Sequence, residues 1–154
     1  MKKLADLRNH ILANVSDLKR NPDKLLSFIE DGNIEFWQGP NLSHMYTLPI
    51  RIIVTDYSGD LDHLILPILS WLSYREPGAD PQRSISFEAE LLNNNSYDIS
   101  ITVNVTERVI VTALETGFQT EHVLPEPEMQ MNPDAEWQII MDLHGLTEQV
   151  PGDD

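Results

Sequence analysis

Leu4, Leu7, Ile11, Val15 and Leu18 recur at spacings of three and four residues, the period of one face of an α-helix. The spacing predicts a helix over roughly residues 2–18, with Lys2, Lys3, Asp6, Arg8 and Asp17 on the water side. Asn21-Pro22-Asp23 stops it. Two short apolar runs, Leu25 to Glu30 and Asn33 to Trp37, flank Asp31-Gly32, a hairpin signal because both turn positions want positive φ. His44 to Thr55 is rich in β-branched and aromatic residues and reads as a long strand. Pro49 lies inside it and has no N–H to give a ladder, so a bulge or a sheet edge is expected there.

Leu61, Leu64, Ile65, Ile68 and Leu72 return to the helical period, widened by Leu69 and Trp71. A helix is predicted over 61–75, buried on more than one side and kinked at Pro67. Three strands follow. Ile85 to Leu92 comes first. Asp98, Ser100, Thr102 and Asn104 then alternate with Ile99, Ile101, Val103 and Val105, the period-two pattern of a sheet with one wet face. Val109 to Ala113 resumes after a break at Thr106-Glu107, and Phe118 to Val123 reads as an edge strand. The sum is an α+β fold, a mixed, mainly antiparallel sheet packed by two helices. Residues 1–124 form the domain. Residues 125–154 hold four prolines and eight acids with no Lys or Arg, and read as an acidic arm. Inside that arm Trp137 to Leu143 is a lone apolar island, a short strand at 137–143 in need of a partner surface.

Composition changes this picture little, but charge does. The chain has 154 residues, 41% hydrophobic and 23% charged, and no cysteine, which suits one soluble domain and removes disulfides and thiolate chemistry. No apolar run spans a bilayer and no secretion signal opens the chain, so no membrane is expected and synthesis in a cytoplasm is. The formal net charge is −15. Residues 1–80 carry 8 Lys/Arg against 11 Asp/Glu, and residues 81–154 carry 2 against 14. Such a surface repels phosphate backbones and does not bind nucleic acid by a generic basic patch. Solubility is the plain reading; the sharper one is a surface past which DNA slides without sticking.

Candidate chemistry is sparse. Asp56, Ser58, Asp60, Asp62 and His63 crowd together, but a calcium loop needs Gly at its sixth position and Glu at its twelfth. Gly59 falls at position four and Pro67 at twelve, so Asp60 is read as a helix cap. No two of the five histidines lie within four residues of each other, and no nucleophile elbow or phosphate loop is present. The expectation is no catalytic, metal or cofactor site. Candidate protein-interface residues are Trp71, Tyr74 and Arg75 near the end of the second helix, Arg108 in the acidic half, and Trp137, Ile139 and Met141 in the arm. Trp71 has a core reading beside this one, and Arg108 a solvated one.

Several segments together resemble the phage tail completion protein R family of contractile-tailed temperate phages and tail-like bacterial particles. They are Met1-Lys2-Lys3-Leu4-Ala5-Asp6-Leu7-Arg8; Asn21 to Gly32; Thr55-Asp56-Tyr57-Ser58-Gly59 with Leu61 to Leu72; Phe87 to Asp98; and Thr106 to Val111. The resemblance covers residues 1–112 and carries nothing for residues 125–154 beyond a Trp-led strand. It implies a tail-terminator-like fold and a structural, non-enzymatic role at the head-proximal end of the tail. There the protein would cap growth of tube and sheath and prepare head attachment. Implied partners are the tail tube protein, the sheath, neck or head completion proteins, and further copies in a homo-oligomeric ring through which DNA passes. Its implied location is the virion tail, after synthesis in the host bacterial cytoplasm. A neck or head–tail connector component, a tail assembly chaperone and a small hydrolase are the alternatives.

Overall fold

The computed structural model describes residues 1–37 and 41–124. The first helical stripe forms two helices, α1 (Lys2–Asn14) and α2 (Ser16–Arg20), separated by Val15 in an extended conformation (φ −111°, ψ 106°). This corrects the single helix expected over 2–18. Leu7, Ile11, Val15 and Leu18 stay on one buried face through the break, so the turn costs no core contact. Lys3 is also a correction. It sits one helical turn before Leu7, on the buried face, and is 3% exposed.

A 3₁₀ turn at Pro22–Lys24 leads into β1 (Leu25–Ile29), which is followed by β2 (Asn33–Phe36) and β3 (His44–Tyr57). The expected hairpin between the first two strands does not form. Both lie end to end along one side of β3, with Leu25 to Ile29 opposite Val54 to Ile50 and Asn33 to Phe36 opposite Thr47 to His44. Glu30, Asp31 and Gly32 therefore face only Leu48 and Pro49, which is a β-bulge. Asp31 has φ +43°. A Cβ on Gly32 would come within 3.3 Å of the Thr47 carbonyl oxygen, so a small residue lets the two backbones close. Pro49 lies in a central strand, not at an edge. Its carbonyl accepts from the Glu30 N–H. In an antiparallel strand N–H and C=O of one residue point the same way. The missing donor of Pro49 thus points into the bulge, where the ladder is already interrupted.

Helix α3 (Leu61–Arg75) starts at Asp60, whose carboxylate accepts from the Asp62 N–H, and carries Pro67 inside it. Then come β4 (Ile85–Leu91), β5 (Tyr97–Leu114) and β6 (Gly117–Val123). β5 is one continuous 18-residue strand, roughly 60 Å long at 3.3 Å per residue. The break expected at Thr106-Glu107 is absent. A two-residue turn at Glu115-Thr116, closed by the Leu114–Gly117 pair, folds β6 back onto it, with Gly117 at φ +149°.

All described strand pairs are antiparallel, in the order β1-β3-β5-β4, with β2 continuing the β1 side and β6 the β4 side. Leu48, Ile50, Ile52 and Val54 of β3 and Ile99, Ile101, Val103 and Val105 of β5 share one buried face. They pack with Leu7, Ile11 and Leu18 of α1 and α2 and Leu64, Ile68 and Trp71 of α3. The opposite face carries Thr47, Arg51, Ser100, Thr102, Asn104 and Thr106 and meets solvent to varying degrees. No described helix is long and apolar enough to cross a membrane.

Candidate assembly interface

The centre of the sheet holds a dense set of buried charges. Along the outer side of β5, β4 stops opposite Val103 and β6 begins opposite Arg108. The Asn104 N–H reaches the Ser84 carbonyl. In the gap that remains, side chains replace a strand: the Thr106 N–H donates to Glu76 Oε1 at 3.1 Å, and Lys3 Nζ donates to the Thr106 carbonyl and to Glu76. Both side chains come from helix ends, Lys3 from the start of α1 and Glu76 from the end of α3, and both are buried.

Glu107 follows on the helix side of β5 and is 0% exposed. Its carboxylate accepts the Lys3 N–H at 2.7 Å and the Lys2 N–H at 3.2 Å. These are free donors at a helix N-terminus, where a negative charge is favoured. It also pairs with His122 of β6. Burial alone would push the Glu107 carboxyl up, but the Lys3 N–H, His122 and the Lys2 N–H together hold it below the usual carboxylate range. Every charge here is consumed by a structural partner, and the cluster fastens α1, the end of α3, β5 and β6 at one point.

Beyond this point the helices give out. Ile34 and Phe36 of β2 and Phe118 of β6 share the helix side of the sheet with Val109, by register. Among the described residues no helix covers them, and all three are more than half exposed. Tyr46 and His122 stack across this face with ring centroids 6.4 Å apart. Toward the other end, Phe87 and Leu91 are exposed on the helix side of β4, and Leu66 and Leu69 are exposed on α3. Apolar side chains left open on one face of a sheet are the material from which interaction surfaces are built.

The residues singled out by sequence are dispersed. Trp71 takes its core reading: it is buried, and its indole N–H donates to Asp6 Oδ2 at 2.8 Å. Arg75 Nε donates to the same oxygen at 3.0 Å, so the pair ties α3 to α1. Tyr74 is half-buried one residue before it. Arg108 is exposed on the polar face of β5, opposite Met45 and Val123. Trp137, Ile139 and Met141 lie outside the described residues, as does the arm boundary at 125. Sequence reading missed Lys3, Glu76 and Glu107. The signal for Lys3 was its place on the Leu7–Ile11 stripe, and that for Glu107 was its place on the inward side of an unbroken alternation.

Comparison with known proteins agrees with the fold's extent. The family described as P2 phage tail completion protein R (GpR) matches residues 1–127, which includes every element from α1 to β6. A relative, Tail completion protein R of Escherichia phage P2, is 33% identical over 140 residues, covering 86% of this chain and 90% of its own. No solved structure matches. The chain belongs to the phage tail completion protein R family.

Proposed function

We propose that this protein completes a phage tail as a structural component, working by the fit of its surfaces between other proteins and not by catalysis. The observation that carries the reading is the family match across the whole described domain. Two features support it. The titratable side chains Lys3, Glu76, Glu107 and His122 are engaged with one another and with backbone donors and acceptors, as expected of a structural fastening. The exposed apolar groups at the two ends of the sheet differ from each other, as the two sides of a heterologous, ring-closing interface do.

In this reading the protein acts at the head-proximal end of the tail, as further copies in a ring that meets tube and sheath on one side and neck or head completion proteins on the other. The acidic half lines the passage and keeps DNA from sticking; a lumen lined by Lys and Arg would overturn that part. The decisive experiment is electron microscopy of particles assembled without this chain. Over-long or headless tails are expected, and tails of normal length with heads attached overturn the reading. A tail component remains in the finished particle, whereas a chaperone is absent from it.

A further inference from the structure

The outer edge of β4 has a backbone and a side-chain character that fit one another. The Ser84 carbonyl is directed at β5 through the Asn104 N–H, so by alternation Ser86, Glu88 and Glu90 also turn their backbone groups inward. Ile85, Phe87, Ala89 and Leu91 turn theirs outward, and among the described residues no strand meets them. The same four residues place their side chains on the helix side of the sheet, level with Val103, Ile101, Ile99 and Tyr97. Phe87 is 53% and Leu91 73% exposed, and Leu69 of α3, also exposed, lines one cleft with Ile85 at the start of this strand. An open cleft of about 430 Å³ lies between the last turns of α3 and the loop after it, lined by Leu69, Leu72, Glu76, Pro77 and Pro81, and reaches β4 at Ile85. The edge thus offers seven residues of ladder with an exposed apolar row on its helix side that meets the cleft beside α3 at Ile85.

We propose that the segment Trp137–Leu143 of the same chain adds to this edge as a strand, with Trp137, Ile139, Met141 and Leu143 extending the apolar row on its helix side. The pattern fits: these four alternate with Gln138, Ile140 and Asp142, so one face is fully apolar, and seven residues match the length of β4. The point of departure fits as well. β6 and β4 lie on the same side of β5 and run in the same direction, so the chain leaving β6 at Leu124 heads toward β4. Twelve residues, 125–136, precede Trp137. With Pro125, Pro127 and Pro133 among them they extend to about 37 Å at 3.1 Å per residue. The far end of β4 is about ten strand residues from the end of β6, roughly 33 Å. The other free edges suit the segment less. The β1–β2 edge is interrupted by its bulge, and the helix-side positions of β6 are Phe118, Thr120 and His122.

The docking is apolar and main-chain in origin, and electrostatics oppose it. Residues 1–124 carry 10 Lys/Arg against 17 Asp/Glu, and residues 125–154 carry eight acids and no base. Salt screens this repulsion, so docking tightens as salt is added, opposite to an arm held by ion pairs. The inference is independent of the tail-completion reading, because the segment lies beyond residue 127, where the family match ends.

Amide hydrogen exchange on the full chain tests it. The outward amides of Phe87 and Ala89 are expected to be protected, at a level independent of protein concentration and rising with salt. Ile139→Asp and, separately, Met141→Asp should each speed their exchange at least about tenfold, while the inward amides of Ser86 and Glu88 and the core amides of β3 remain slow. Fast exchange of Phe87 and Ala89 in the unaltered chain overturns the proposal. So does protection that both variants retain. Protection that grows with concentration overturns it in favour of a second copy on this edge.

Discussion

The two halves of β5 carry the same alternation and meet different surroundings. From Tyr97 to Val105 the inward residues Ile99, Ile101, Val103 and Val105 are buried against helices. From Glu107 to Leu114 the same side carries Val109, Val111 and Ala113, with Ile34, Phe36 and Phe118 beside them on β2 and β6. Along it Val109 is buried, Val111 half-buried and Ala113 exposed. Alternation states which face of a strand is apolar; it does not state whether that face is covered within the protomer. The covered half holds the protein's stability. The other half is left open among the described residues. The Lys3–Glu76–Glu107 cluster stands at the seam between them, where the helices start and stop.

That division can be broken by mutation, most strongly at the seam. Lys3→Met should leave Glu76 as a buried, uncompensated carboxylate and destabilise by about 3–5 kcal/mol. Adding Glu76→Gln should recover part of the loss, because no unpaired charge then remains. Chemical denaturation of both variants measures it. Ile101→Ala, in the covered half, should cost about 2–5 kcal/mol for its cavity. Phe118→Ala, in the uncovered half, should change stability by no more than about 0.5 kcal/mol. A Phe118 variant as unstable as the Ile101 variant would mean that the two halves are not different in kind.

The sequence made much of this legible. The bounds of α3 coincide with the apolar stripe from Leu61 and the stop after Arg75, because capping and the helical period are local. The alternation of β5 likewise gave its inward and outward faces. What failed was tertiary. Asp31-Gly32 carries the chemistry of a hairpin turn, yet β3 is long enough to pair with both flanking strands at once, and the same positive-φ residue serves a bulge. Pro49 was compatible with an edge or a bulge, and only the register showed that the bulge sits on its partner. Thr106-Glu107 reads as a break because two polar residues interrupt the apolar alternation, yet β5 runs through them. Nothing near Glu107 in sequence reveals that the start of α1, about 100 residues away, would supply its donors. The interface candidates followed residue type alone, which does not separate a Trp71 that anchors two helices from one that meets a partner.

The seam should also set the protein's acid sensitivity. The Glu107 carboxyl is held below its ordinary range in the folded state, and in the unfolded chain it returns to that range. A group depressed in this way contributes stability at neutral pH that is lost as pH falls through the folded value. Stability should therefore drop on acidification below the ordinary carboxylate range, and Glu107→Gln should be less stable at pH 7 with a shallower acid limb. Urea midpoints followed from pH 7 to pH 3 distinguish the two. An acid limb of unchanged slope in Glu107→Gln would move the sensitivity elsewhere.

A modest effect belongs to the bulge, which hands the edge of β3 from the covered half, at β1, to the uncovered half, at β2. Asp31 holds φ +43° there, a conformation that costs an L-residue energy and glycine almost none. Asp31→Gly should therefore stabilise by about 0.5 kcal/mol, the relief in the folded state being partly offset by the freer unfolded chain. Asp31→Val should destabilise by about 1–2 kcal/mol, since a β-branched residue fits that region poorly. If the bulge serves only as a joint, the valine variant should loosen the amides of β2 and leave those of β1, packed beside α1, unchanged. Equal loosening of both strands would show that the covered half depends on the joint, and the two halves would then be one cooperative unit.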